Sequence, residues 1–256
     1  MNYFFRMILL LCSITVIVGG LYINDIKAEP YFFDNFSSGK IDQSNWTNLF
    51  QPNEGSIVSI DGKKAFKSEM HYLTNYKGLA GDVPRSEIQL TTWSKNRHDL
   101  EIGKEYVISV KSKVPSDEQI ETHYNQYLLF QVHQYSGTAS PVFGLYVDKN
   151  HYFVQNCTPK ADGTYRYYVS PSLGNISDLL GVWVNWTLRI KVSDKNDGLL
   201  QLYKNGKEVC KFSGPTAYPH SNNYFVIGLY KWNWQRFPTS TNYHYAYFTD
   251  FNIQKY

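Results

Sequence analysis

From Tyr31 to its C-terminus the chain is a series of short runs rich in Val, Ile, Tyr, Phe and Thr, cut at close intervals by turn signals: DGKK, IGKE, VPSDEQ, DGTY, SDKNDG and KNGKE. No helix of ordinary length and no internal repeat interrupts the pattern. Many short strands at such spacing predict a single all-β domain, a two-sheet sandwich or jelly roll, over residues 29–256. LLQLYKNGKEVCKF is the clearest hairpin, with Asn205-Gly206 as its tight turn. SPSLGNISDLLG predicts one helical turn, with Ser177-Asp178 as its cap.

Residues 1–28 read as a secretory signal peptide: one Arg, an apolar run from Met7 to about Ile23, then a polar stretch ending at Lys27-Ala28. The alternative is an uncleaved anchor, because the run approaches bilayer-spanning length. A cleaved leader predicts a secreted or periplasmic monomer with no stable membrane association. A lipoprotein anchor at Cys12 does not fit, since the apolar run continues well past it. Cys157 and Cys210 remain in the exported part, and sequence does not say whether their geometry permits a bond. No Cys/His group has zinc-site spacing. A net charge of +3 suits an anionic partner outside the cell, and nothing points to nucleic acid. Aromatics reach 17%, with 22 Tyr, as in extracellular β-proteins and sugar binders.

YFFDNFSSGKIDQSNW and YHYAYFTDFNIQKY read as terminal strands that pair side by side in one sheet. Asp34, Asn35 and Asp250 would then supply oxygen ligands for a structural calcium ion. The plainer reading makes them turn and strand-end residues.

Three segments stand out for the polar and aromatic residues that strand alternation would place on one face. In PRSEIQL, strand alternation puts Arg85, Glu87 and Gln89 on one face, either solvated or the floor of a polar cleft. In YLLFQVHQY it puts Leu129, Gln131 and His133 on one face; an unpaired polar group in a dry interior costs about 1–3 kcal/mol, so Gln131 and His133 are either satisfied in the core or face a wet cleft. In YFVIGLYKWNWQ, read as one strand, Gly228, Tyr230, Trp232 and Trp234 share a face that is either a thick aromatic core or a groove for a sugar. A glycine at 228 lets another chain approach closely.

Together these supply a guanidinium, an amide, an imidazole and a phenol. The C5 proton of a uronic acid becomes removable once its carboxylate is neutralised. Arg and Gln can hold that carboxylate, His or an ionised Tyr can take the proton, and Tyr can protonate the departing O4. A tyrosine base would need a neighbouring cation such as Arg85 or Lys231. The reaction is β-elimination and needs no cofactor.

Arg85-Ser-Glu-Ile, Gln131-Val-His133 and Tyr224-Phe-Val-Ile-Gly-Leu-Tyr230 occur in the same order as three motifs of the jelly-roll alginate lyases. Those motifs read roughly Arg-Thr-Glu-Leu-Arg, Gln-Ile/Val-His and Tyr-Phe-Lys-Ala-Gly-x-Tyr-x-Gln. The chain also resembles glucuronan lyases and heparin lyase I, on about twenty residues spread over some 150. The resemblance implies a concanavalin-like β-jelly roll with a cleft across its concave sheet. It puts Arg85 and Gln131 at the substrate carboxylate, His133 at the abstracted proton and Tyr230 as acid or as combined acid and base. Glu87, Gln89, Lys231, Trp232 and Trp234 are the expected substrate contacts around them, with His133 across from Tyr230. The motif's Lys is Val226 here, its second Arg is Gln89, and the Gln after its Tyr is Trp232. Lost cations and added tryptophans favour a uronate polymer of lower charge density, such as glucuronan. A sugar-binding module on this fold has no need of Gln-x-His beside Arg, and a structural or adhesive surface protein is a further alternative. A glycosidase needs paired carboxyls, usually Glu-x-Asp-x-x-Glu in this fold, and that run is missing.

Overall fold

The computed structural model describes residues 28–72, 76–77, 83–90, 97–135, 140–160 and 164–256. Of the predicted leader only Ala28 falls among them, and Asp162-Gly163 of the DGTY turn also lie outside. Strands form at β1 (Glu29–Asp34), β2 (Trp46–Leu49), β3 (Gly55–Ile60), β4 (Lys63–His71), β5 (Arg85–Leu90), β6 (Glu105–Lys113), β7 (Tyr127–Gln134) and β8 (Phe143–Asp148). They continue at β9 (His151–Pro159), β10 (Tyr165–Val169), β11 (Trp183–Lys191), β12 (Leu199–Lys204), β13 (Lys207–Ser213), β14 (Asn223–Tyr230) and β15 (Tyr243–Lys255). The only described helical turn is 3₁₀, Ser177–Leu179, and no side chain caps it. Among the described residues no helix is long and apolar enough to cross a membrane.

The strands build two antiparallel sheets. One runs β13-β12-β11-β6-β15-β4-β3, with β1 added against β15; the other runs β10-β9-β8-β7-β14-β5-β2. The terminal strands do pair, Glu29 opposite Lys255 and Asp34 opposite Phe251. Asn205 and Gly206 both take positive φ, 50° and 81°, which the two-residue turn between β12 and β13 requires.

Burial separates the sheets. Along β6 and β11 buried and half-buried residues alternate, one face on the core and one toward water. The core-facing side carries Trp186, Phe66, Phe248 and Phe251, meeting Trp46, Phe130 and Phe225 from the other sheet. In β5, β7 and β14 nearly every residue is buried, polar ones included. The outer face of the second sheet is therefore covered rather than simply solvated.

Two irregularities re-aim side chains on that face. Leu129 and Phe130 both enter the core while Leu128 does not, at a register shift between β7 and β8. Leu129 thus leaves the face it was expected to share with Gln131 and His133. A second shift lies between Ile227 and Tyr230 of β14. There Gly228 has φ of 124°, and a Cβ on it would sit 2.2 Å from the Ser86 carbonyl oxygen, so no other residue fits without displacing β5. Ser68 of the opposite sheet repairs the disturbed ladder, accepting from the Leu229 N–H at 2.9 Å and donating to the Ser86 carbonyl at 2.6 Å.

The terminal oxygen donors are each engaged by protein groups. Asp34 accepts from the Phe36 N–H at 2.7 Å and the Trp46 indole at 2.8 Å, and Asn35 accepts from the Ser37 N–H. Asp250, at the β15 bulge, is neutralised by Lys63 and Lys111 at 3.1 and 2.7 Å. All three thus have protein partners, and no group of three or more His, Cys, Asp or Glu among the described residues is placed to hold a metal ion. Cys157 and Cys210 are free thiols on strands of different sheets.

Candidate active site

The three polar segments meet on the outer face of the second sheet. β14 lies between β5 and β7 and sets their register: Arg85 is opposite Tyr230, Glu87 opposite Gly228, Gln89 opposite Val226, and on the other side Gln131 faces Val226. Because Gly228 has no side chain, Glu87 and Gln131 reach each other across β14. The Gln131 Nε2 donates to Glu87 Oε1 at 2.6 Å, and Arg85 bonds the other Glu87 oxygen at 3.4 Å. The Arg85 guanidinium lies over the Tyr230 ring, 4.3 Å from its centre.

Glu87 has no exposed surface. It sits behind Arg85 and Gln131 and positions them, so the expected substrate contact becomes a support. Burial pushes its carboxyl up to about 7, although Arg85 and the Gln131 hydrogen bond pull the other way. Arg85 Nε and Gln131 Oε1 are buried without a partner among the described residues, and one amide N–H of Gln131 is left over. Gln89 continues the row but is buried between Thr47 and Val226 on the neighbouring strands.

His133 is half-buried. Its Nδ1 lies 3.0 Å from the Gln134 carbonyl, which can only accept, so Nδ1 carries the proton and Nε2 the lone pair. Burial lowers its pKa, the carbonyl contact opposes that, and the Arg85 charge lowers it further. The imidazole is thus held neutral, as a base must be. Its cross-strand partner is Tyr224, stacked at 5.6 Å, and not Tyr230, whose register partner on β7 is Leu128. The expectation that His133 faces Tyr230 directly is corrected: they share a face and neighbouring strands but are offset along them. For Tyr230, burial raises the pKa more than Arg85 lowers it. The phenol stays protonated and suits an acid.

β14 ends at Tyr230, so the strand reading of the tryptophans fails. Trp234 belongs to the core, fully buried, with its indole donating to the Thr241 carbonyl at 3.1 Å. Lys231 is also fully buried; its ammonium bonds Glu121 at 2.9 Å, Thr241 at 3.1 Å and His244 at 2.9 Å. Neither reaches a substrate, because each is consumed in anchoring the segment after β14. Trp232 alone stays beside the site, half-buried, 5.5 Å from the Tyr230 ring and edge-on to Tyr146 at 5.8 Å. Tyr146 and Tyr224 were missed. Tyr224 opens the third motif, and Tyr146 lies two residues after Gly144, a strand glycine that marks a close approach.

A family model described as polysaccharide lyase matches residues 34–252. No curated protein matches the sequence. The structure is similar to the endo-β-1,4-glucuronan lyase of the fungus Trichoderma reesei, with a TM-score of 0.69, 16% identity, and coverage of 88% of this chain and 95% of that one. It is also similar to the marine alginate lyase of Zobellia galactanivorans (TM-score 0.55, 13% identity, 87% and 100% covered). A third is the alginate lyase of Pseudomonas aeruginosa (TM-score 0.54, 19% identity, 83% and 99% covered). At these identities the likeness is one of fold: the two-sheet jelly roll read from the turns and strands.

Proposed function

The chain belongs to the polysaccharide lyase family, and from that premise we propose that it cleaves a uronic-acid-containing polysaccharide by β-elimination at the Arg85–Gln131–His133–Tyr230 face. The observation that carries this reading is the Glu87 brace, which holds Arg85 and Gln131 together beside a neutral imidazole and a protonated phenol. Arg85 and the remaining Gln131 N–H take the substrate carboxylate and stabilise the charge that develops as C5 loses its proton. His133 Nε2 accepts that proton. The electron pair forms the C4–C5 double bond, the C4–O4 bond breaks, and the Tyr230 hydroxyl protonates O4. Solvent returns a proton to Tyr230 and takes one from His133, so the balance closes without a cofactor.

The polymer is an unsulfated polyuronate, glucuronan before heparin. Val226 and Gln89 stand where a sulfated chain would want further cations and Lys231 is buried in an ion pair, while the structural similarity to a glucuronan lyase is what favours glucuronan among the polyuronates. The leader over residues 1–28 would deliver a soluble enzyme beginning near Glu29 to the outside of the cytoplasm, which N-terminal sequencing of exported protein checks. The decisive experiment is incubation with glucuronan, alginate and heparin while following the ultraviolet absorbance of the unsaturated product. Absorbance should rise with glucuronan; no rise with any uronate polymer would overturn the reading.

A further inference from the structure

The catalytic cluster occupies β5, β14 and β7, but the same face continues over β8 and β9 to β10 at the edge of the sheet. Inward positions there are clear: Tyr152 and Val154 lie in the core, and the Tyr168 ring meets Phe212 of the opposite sheet at 5.6 Å. The outward positions therefore alternate through 144–148, 151–157 and 165–169, and apart from Asp148 and His151, at the turn between β8 and β9, none of them carries a charge. Aromatic rings take the place of charges. From Tyr230 the file passes to Trp232 at 5.5 Å, to Tyr146 at 5.8 Å and to Phe153 at 5.2 Å.

Tyr146 can lie flat because of Gly144, where a Cβ would come within 2.5 Å of its ring. Tyr146 stands in register with Leu128 of β7 on one side and Phe153 of β9 on the other. On β10 the rings open to water farther along the face, Tyr167 opposite Cys157, four residues beyond Phe153 on β9: Tyr167 is 54% exposed and Tyr165 39%, their centres 6.5 Å apart. Exposed aromatics on an edge strand are an association hazard in a structure that does not use them. From β7 to β10 is three strand spacings, about 14 Å, which is more than one sugar ring.

We propose that Tyr165 and Tyr167 form a distal subsite that stacks on a pyranose ring of the same chain whose uronate is held by Arg85 and Gln131. The inference rests on the lyase reading and extends it to chain length. The C–H face of a pyranose is apolar and packs on an aromatic ring, and it needs no cation. Binding energy at β10 is available only to a chain long enough to reach it, so polymer is favoured over short oligosaccharides, and this part of the affinity responds little to salt.

The test compares wild type with Tyr165→Ala/Tyr167→Ala and with Tyr167→Phe, on polymer and on the shortest oligosaccharide cleaved. The double variant should raise KM for polymer roughly three- to tenfold with kcat unchanged. It should cleave the short substrate at the native rate, which also shows that it folds, and Tyr167→Phe should behave as wild type. A double variant with the native ratio of polymer to oligosaccharide kcat/KM overturns the subsite. Retardation in gels containing the polymer separates this from the lyase reading. A wild type that is retarded but cleaves nothing sinks the lyase reading while the subsite stands on the double variant's loss of retardation. A wild type that neither cleaves nor is retarded overturns both.

Discussion

Arg85 and Tyr230 face each other across β5 and β14, with the guanidinium carbon 4.3 Å from the centre of the phenol ring. One cation thereby serves two neighbours, since it also bonds Glu87 on its own strand. Arg85→Lys keeps the charge but loses the planar fork. Turnover should fall at least about 100-fold, with the thermal unfolding midpoint little changed. Turnover within a few-fold of native would remove Arg85 from the carboxylate site.

Tyr230→Phe removes only the hydroxyl. The ring still lies under Arg85 and beside Trp232, so polymer binding should persist while elimination falls by roughly 10²- to 10⁴-fold. Product absorbance together with gel retardation separates the two effects. A variant active within a few-fold of native would show that another group protonates O4.

Glu87 makes a prediction for pH. Its folded pKa, about 7, lies above the ordinary carboxylate range, so the folded state binds more protons in that window. Stability is therefore full below the ordinary carboxylate pKa and is lost as pH rises through about 7. Glu87→Gln carries no ionisable group and should be more stable than wild type above pH 7 in urea unfolding. It should also be less active, because an uncharged brace holds Arg85 less firmly. A native-like fall in stability across that window would clear Glu87 of the effect.

Lys231→Met tests whether Lys231 is structural. It would leave Glu121 buried without its cation, although Thr239, Ser240 and the His123 N–H still donate to that carboxylate. The expected loss is about 3–5 kcal/mol of unfolding free energy, with near-native KM in the folded fraction. A large rise in KM without loss of stability would restore Lys231 as a substrate contact.

The sandwich was legible because local rules decide it: turn residues, β-branched and aromatic runs, and the absence of helical periodicity. Arg85, Glu87 and Gln89 fell on one face, as did Gln131 and His133, because alternation holds wherever a strand is regular. It failed where strands are not regular. The bulges at Leu129 and Gly228 shift side chains by a residue, and a bulge exists only against a partner strand, so no pattern within one segment reveals it. The end of β14 at Tyr230 is of the same kind. Lys231 looked like a free cation because its anion, Glu121, is 110 residues away in sequence, and Trp234 looked like a platform because the core that encloses it comes from other segments. The residue types of the site were set by the sequence itself. Which of them reach the open surface, and which are buried behind those that do, was decided by long-range packing, since burial is a property of neighbours and not of spacing.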